Sequence, residues 1–333
     1  MHTRILRKGS VGFNANPDMV EANKLLRQVK LAEESGFEAI WPSDHFHPWF
    51  DTGAAESNTW VWMAAAMKEV HVPFGTAVTA PLFRYHPAIV AQAFATMESI
   101  FGHRLLLGVG TGEAMNESPL GYKWPRFNER RDRLIEAVQV IRRLWSGEKV
   151  DFDGSYYKLR GAKLYLRAEI PIIISAMGPK MARVAGKYGD GFITSGKTTQ
   201  AVNEILMPGV KAGAAESGKS LDDLIKVAEL DIAYDQDYDR AVKVMRKWAA
   251  TTLDEVYNKE ISDPAEIERL GNEKVSDEQL AKVYPIVTSP EEVVKAISEY
   301  FGCGFDHVYV QLNTNDDDAA IRMFQKEVLP HFK

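Results

Sequence analysis

Cys303 is the single cysteine among 333 residues. Its isolation excludes an intramolecular disulfide and any cysteine-built zinc cage, and no metal is expected. No apolar run approaches the roughly 20 residues needed to span a bilayer, so a membrane is not expected as a partner. Positive charge is not in surplus either: 40 Lys+Arg face 46 Asp+Glu, a net charge of −6. Proteins that grip a nucleic-acid backbone need dense positive charge, which removes that partner class. The first residues, through Arg7 and Lys8, are basic but lack an apolar segment behind them. A secretory signal is therefore not expected, and the chain reads as cytoplasmic. A Walker loop, an HExxH pair and a Gly-x-Ser-x-Gly elbow are all missing, which removes NTPase, zincin and α/β-hydrolase chemistry. What remains, 45% hydrophobic and 26% charged residues, is too apolar for a disordered chain.

Eight short apolar, β-branched runs recur along the chain: Val11–Asn14, Ala39–Pro42, Val72–Val78, Arg104–Gly110, Pro171–Ala176, Gly191–Ser195, Lys226–Tyr234 and His307–Leu312. Several are apolar without alternation, such as Leu105-Leu-Leu and Ile172-Ile-Ile, as expected of parallel strands buried on both faces. Segments between them carry the helical period. Leu25, Val29 and Ala32 fall at i, i+4 and i+7 with Gly36 at the C-cap, and Ser289-Pro-Glu-Glu is a capping box with Pro at the first helical position. Alternating strands and helices of this number predict a (β/α)8 TIM barrel in a single domain spanning 1–333. A doubly wound sheet is the competing architecture, but no Gly-x-Gly-x-x-Gly follows the first strand. Two long gaps between strands are expected to be insertions at the C-terminal mouth, about 111–166 and 235–290. The second is charge-rich and without a clear apolar period, as a lid would be.

Active sites of such barrels lie at the C-terminal strand ends, so the residues after each run are the informative ones. After the second run comes Ser43-Asp-His-Phe-His-Pro-Trp49. An Asp beside a His could tune a general base, and the Trp could wall a substrate. A polar loop with a capping histidine is the bland alternative, and His47, next to Pro48, is the weaker of the two histidines. After the fourth run comes Gly108-Val-Gly-Thr-Gly-Glu-Ala-Met-Asn-Glu117. Its glycines would let backbone approach a flat ring or phosphate, or would serve close packing alone. Glu113 is either an acid raised by apolar neighbours or a solvated loop charge. Gly178-Pro179 before a helix exposes free N–H groups suited to an anion, and Thr194-Ser-Gly-Lys197 adds hydroxyls and an ammonium.

Together these segments resemble the deazaflavin branch of the bacterial-luciferase-like barrels, the coenzyme F420-dependent glucose-6-phosphate and secondary-alcohol dehydrogenases. The resemblance is carried by Asp44-His-Phe-His-Pro-Trp49, by Phe83-Arg-Tyr-His-Pro-Ala followed by Ala91-Gln-Ala-Phe-Ala-Thr-Met97, and by Gly108–Glu117. It implies that F420 lies across the barrel mouth and that the protein is a homodimer. It implies acid–base roles for Asp44, His45 and Glu113, with Trp49 walling the substrate. Coenzyme contacts are implied at Asp44, Thr111, Gly112, Asn116 and Gly178, with a non-proline cis peptide at Ala77–Val78. His45 would take the hydroxyl proton while hydride passes to C5 of the deazaflavin, and Glu113 would serve the ring N1. A deazaflavin transfers hydride and does not readily activate oxygen, which places a dehydrogenase ahead of an FMN-dependent monooxygenase. A non-catalytic coenzyme-binding barrel has no use for the acid–base set.

Departures from the resemblance concern the substrate. Sugar-phosphate enzymes of this branch seat phosphate with a Thr-Ser-Gly-Lys loop plus a Lys and an Arg from the last insertion. Thr194 and Lys197 remain here, but Asn258 takes the Lys position, with Lys259 beside it, and Val283 takes the Arg position. Losing a bidentate donor and an ammonium should weaken phosphate binding by several kcal/mol. Smaller departures are Asp18 in place of Glu in the substrate set, Ala80 for a coenzyme-contacting Thr, and Met177 for a Gly. A small-molecule alcohol, sugar or sugar phosphate is the expected substrate, with the phosphate site incomplete.

Overall fold

The computed structural model describes residues 5–196 and 198–333. Strands β1 (Ser10–Ala15), β2 (Ile40–Pro42), β3 (Phe74–Gly75), β4 (Leu105–Val109), β5 (Ile172–Ser175), β6 (Gly191–Thr194), β7 (Ile225–Tyr234) and β8 (His307–Asn313) pair in parallel in that order. β8 returns to β1 and closes the barrel. All eight expected runs are its strands. The third is shorter than expected because the regular ladder stops at Gly75; the chain then passes through a cis Ala77–Val78 peptide and bridges β4 again at Thr79–Val109.

Burial on both faces accounts for the non-alternating runs. Leu105, Leu107, Ile172 and Ile174 belong to the outer core shared with the helices, whereas Leu106 and Ile173 join Trp41, Ile193, Val227 and Tyr309 inside the barrel. Bulk in the lumen is matched by glycine next door. A Cβ on Gly75 would lie 2.3 Å from the Trp41 ring, and one on Gly12 would lie 2.5 Å from His307 Nε2. His307 is buried and accepts from Trp41 Nε1 at 3.0 Å, with Ser10 Oγ 2.6 Å from its Nδ1. Burial, then the charge of Arg7, holds its pKa down to about 3, so it is a neutral core residue.

The two insertions differ from expectation in opposite ways. Within 111–166, Val150–Asp153 and Lys158–Ala162 form an antiparallel hairpin that follows the long helix Phe127–Trp145 and leans on it. Glu136 of that helix accepts from the backbone N–H groups of Ser155 and Tyr156. The hairpin therefore flanks the barrel, and only the segment ahead of Phe127 belongs to the mouth. Within 235–290, three helices (Asp254–Asn258, Pro264–Lys274 and Asp277–Val283) follow a 3₁₀ segment, Arg246–Thr252. They are no loose lid. Val256, Ile267, Val275, Leu280 and Tyr284 bury a second apolar core with Trp49, Phe50, Met245 and Trp248. A Cβ on Gly271 would lie 2.6 Å from Ala250 N, so helix 264–274 rests directly on the 3₁₀ backbone. The cap shows no long apolar period in the sequence because its buried residues are divided among three separate helices. No helix among the described residues is long and apolar enough to cross a membrane.

Candidate active site

The loops after β1 and β2 bring Asp18 and His45 together. Both Asp18 carboxylate oxygens lie within 3.0 Å of His45 Nδ1. A carboxylate can only accept there, so Nδ1 carries the proton and Nε2 is left for the cavity. Burial opposes charge on the imidazole, but Asp18, with Glu113 and Glu56 behind it, outweighs burial and raises His45 to about 9. Asp18 is fully buried. Burial works against its charge too, yet His45 holds it below the usual carboxylate range. Behind the pair, Glu56 Oε2 is buried with no partner, although the carboxyl, Asp18 and His45 lie within 4.8 Å of one another. Two abutting carboxylates cannot both ionise. Burial and then Asp18 raise Glu56 to about 9, and a proton on Oε2 directed at Asp18 satisfies the orphan atom.

Asp44, expected as an acid–base and coenzyme residue, does not line the cavity. Its carboxylate accepts from Thr79 Oγ1 at 2.6 Å and from Arg84 Nη2 at 3.0 Å, bracing the segment beyond the cis peptide. The carboxylate on His45 is thus Asp18, not the neighbouring Asp44. Asp18 in turn sits behind His45 and not among the cavity-lining residues expected to meet substrate. His47 is turned away, with Ser262 O 3.0 Å from its Nδ1, and pins the helical cap. Glu113 does line the cavity, and Asn116 fixes it: Nδ2 donates to Glu113 at 3.0 Å while Oδ1 accepts from Phe46 N at 2.7 Å. The acid of this loop that burial raises, to about 7, is Glu117, whose carboxylate accepts from Arg84 N.

A chamber of about 170 Å³ opens among these groups, lined by His45, Trp49, Ala77, Val78, Glu113, Met177 and Thr194 on one side. Trp49 stands edge-on to His45 with centroids 6.1 Å apart. An adjoining groove of about 370 Å³ shares Ser175 and Met177 and adds Thr111, Phe127, Gly178, Pro179 and Lys180. Helix Pro179–Tyr188 starts there with no side-chain cap, leaving its first N–H groups for an anion. Ala80 lies behind both, 3.1 Å from where a Cβ on Gly112 would be. Gly108 and Gly110 serve close packing: added Cβ atoms would meet Thr76 O at 1.8 Å and Val78 at 2.6 Å. Gly112 makes the turn, with φ +67°.

The opposite side was not anticipated from sequence. Inward positions of β7 and β8 supply Glu229, Asp231, Tyr309 and Gln311, Asn16 follows directly on β1, and the cap supplies Trp248, Thr251, Tyr257 and Tyr284. The signal was there in Val227-x-Glu229-x-Asp231, polar residues at period two inside an apolar strand. Of the expected phosphate positions, Thr194 lines the chamber and Lys197 lies outside the described residues. The other three are not in its walls. Asn258 Nδ2 donates to Asp254 O, the exposed Lys259 pairs with Glu255 at 2.7 Å, and Val283 is 40% exposed. Tyr284, one residue on from Val283, lines the chamber instead.

A sequence model of luciferase-like monooxygenases matches residues 7–307. The chain belongs to that family. One relative of this luciferase-like barrel, the F420-dependent glucose-6-phosphate dehydrogenase of Nocardia farcinica (strain IFM 10152), is 40% identical over 329 residues, covering 97% of this chain and 98% of its own. A solved F420-dependent secondary alcohol dehydrogenase, in complex with an F420-acetone adduct, superposes with TM-score 0.94 at 34% identity, covering 98% and 99%. The coenzyme F420-dependent tetrahydromethanopterin reductase of Methanopyrus kandleri shares the fold, with TM-score 0.79 at 24% identity over 97% and 99%. The residues present suit a deazaflavin. The non-proline peptide Ala77–Val78 forms a chamber wall open to a flat ring, and the uncapped helix at Pro179 offers N–H donors to a phosphate.

Proposed function

We propose that this protein oxidises a CH–OH group of a small molecule with coenzyme F420 as hydride acceptor. One observation carries the reading: His45, clamped at Nδ1 by a buried carboxylate, aims Nε2 into a chamber shared with Glu113, Trp49 and the Ala77–Val78 peptide. When bound, the deazaflavin supplies a carbon, C5, that accepts hydride. His45 accepts the hydroxyl proton at Nε2 as the carbinol C–H is lost. Asp18 fixes the tautomer of the neutral ring by holding Nδ1, so that Nε2 is the basic nitrogen, and compensates the imidazolium that forms. Glu113, fixed by Asn116, would be the group placed to exchange a proton with the deazaflavin. Trp49 and the cap exclude water and hold the carbinol carbon against the coenzyme wall. Ala77, Val78, Thr111, Gly112, Met177 and Gly178 would hold the coenzyme, with Thr194 at the substrate end; Asp44, Ala80 and Asn116 support that wall from behind.

An unphosphorylated alcohol fits this chamber better than a sugar phosphate, because neither Lys259 nor a second cation from the cap lines it. A cytoplasmic homodimer completes the reading. In its support, helices Thr59–Glu69 and Pro87–Phe101 leave Val61 and Ile89 exposed, and a second copy could cover them. Fluorescence titration is the first test. F420 should bind with a Kd in the micromolar range or tighter, about −8 kcal/mol or better, and FMN at least tenfold more weakly. Equal or tighter FMN binding would overturn the reading.

A further inference from the structure

The chamber floor has a chemistry that the acid–base groups do not use. Along β7, inward positions run Val227, Glu229, Asp231: the first sits in the lumen core, the second and third at the chamber. Glu229 is satisfied, accepting from Asn14 Nδ2 at 3.0 Å with the Tyr309 and Ser195 hydroxyls also facing it. Asp231 is not. Among the described residues no side chain or backbone group hydrogen-bonds its carboxyl, which is half-buried and faces the chamber beside Glu229. A half-buried carboxyl without a protein partner turns its hydrogen-bonding capacity to whatever fills the space next to it. Burial and the neighbouring Glu229 push the Asp231 pKa upward, and burial raises Glu229 to about 7.

We propose that Asp231, with Glu229 beneath it, selects an uncharged alcohol bearing further hydroxyl groups, a polyol or unphosphorylated sugar. This rests on the dehydrogenase reading and names its substrate class. Lysine and arginine are absent from the described residues lining the chamber, whose ionisable groups, apart from the phenols of Tyr257, Tyr284 and Tyr309, are three carboxyls, Glu113, Glu229 and Asp231, and the imidazole of His45. A phosphate dianion at the floor would face the carboxyls of Glu229 and Asp231, which repel it wherever they are ionised. A cationic substrate would meet the charged His45. A hydroxyl suits the floor in either protonation state, since it gives a hydrogen bond to a carboxylate and takes one from an acid.

The experiment compares kcat/KM for glucose, glucose 6-phosphate and propan-2-ol in wild type, Asp231→Asn, Asp231→Leu and Asp231→Lys. Calorimetric binding of both sugars to the F420-loaded protein is measured alongside. Wild type should favour glucose over its 6-phosphate by at least about tenfold. Asp231→Leu should lower the glucose-to-propan-2-ol ratio about 100-fold, and Asp231→Asn less than tenfold, since the amide keeps a donor and an acceptor. Asp231→Lys should move the preference toward glucose 6-phosphate. F420 affinity reports whether each variant is folded, and Asp231→Asn and Asp231→Lys carry the test should Asp231→Leu not fold. A wild-type preference for glucose 6-phosphate, or a ratio indifferent to Asp231, overturns the proposal. If no alcohol is oxidised, the dehydrogenase reading fails separately, while the calorimetric order of the two sugars still decides the role of Asp231.

Discussion

One side of the chamber is carried on loops that leave β1, β2 and β4; the other is carried on the strands β7 and β8. On the loop side, position is held by side chains gripping one another: Asp18 on His45, and Asn116 on both Glu113 and Phe46 N. On the strand side it is held by ladder register, with Glu229 opposite Tyr309 and Asp231 opposite Gln311. A loop group can be removed without disturbing the barrel, and its loss should appear in the rate of the chemical step. A strand group is fixed by the backbone, and its loss should appear in which molecule is accepted. The chemistry and the selectivity of this protein should therefore respond to separate sets of substitutions.

The largest effect should come from His45. His45→Ala and Glu113→Gln should each lower kcat by about 10²–10⁴-fold, the usual worth of one acid–base partner. F420 affinity should stay within a few-fold, because neither change touches the groove beside Pro179. Near wild-type turnover in both variants would erase the distinction between the two sides.

The next effect reads the Asp18 clamp. His45 accepts a proton only when neutral, and its raised pKa keeps it charged below about 9. Alcohol oxidation should therefore climb roughly tenfold per pH unit toward pH 9 and level above it. Ketone reduction uses the charged form and should run the other way. In Asp18→Asn the opposing burial is left without its counterweight, so the midpoint should fall by a unit or more. A pH profile of kcat/KM in both directions measures this, and an unmoved midpoint would remove Asp18 from its role.

The two sides also differ in how far the sequence exposes them. Asp44–Trp49 and Gly108–Glu117 are contiguous, so one stretch of chain places several functional groups and a resemblance can be read from them. Even there the neighbour relation misleads. Asp44 adjoins His45 in sequence but turns to Arg84 and Thr79, and the partner comes from Asp18, 27 residues away. Barrel strands were legible because each is a short run buried on both faces. The floor was not, because Asn16, Glu229, Asp231 and Gln311 meet only when three strands close the barrel. The cap was misread for a related reason. Its apolar residues, such as Ile267, Leu270 and Leu280, are spread over helices too short to show a repeat, among charges that face outward.

That packed cap gives a middle-sized effect. Ile267 is 1% exposed in the core joining the cap to Trp49 and Trp248. Ile267→Ala should cost about 2–4 kcal/mol of stability through lost burial and an unfilled cavity, measured by thermal or denaturant unfolding. Because Tyr257, Tyr284 and Thr251 ride on the same core, KM for the alcohol should rise about tenfold while F420 affinity changes less than threefold. Equal loss of both would mean that the cap supports the coenzyme side as well.

Lys259 should give the smallest effect, and that smallness is informative. Beside Asn258 it is the cation that sequence offers as a replacement phosphate ligand, yet its ammonium pairs with Glu255 one helical turn back. Lys274 reaches the same carboxylate from the next helix. The lysine side chain is 65% exposed, and an exposed pair of this kind is screened by water and contributes little. To meet a phosphate in the chamber it would have to break that pair and pass the Tyr257 and Tyr284 walls. Lys259→Ala should therefore change kcat/KM for glucose 6-phosphate and for glucose by less than about twofold each. A tenfold loss confined to the phosphorylated sugar would show that the lysine swings inward during turnover. It would also transfer part of the selectivity from the strand side to the cap.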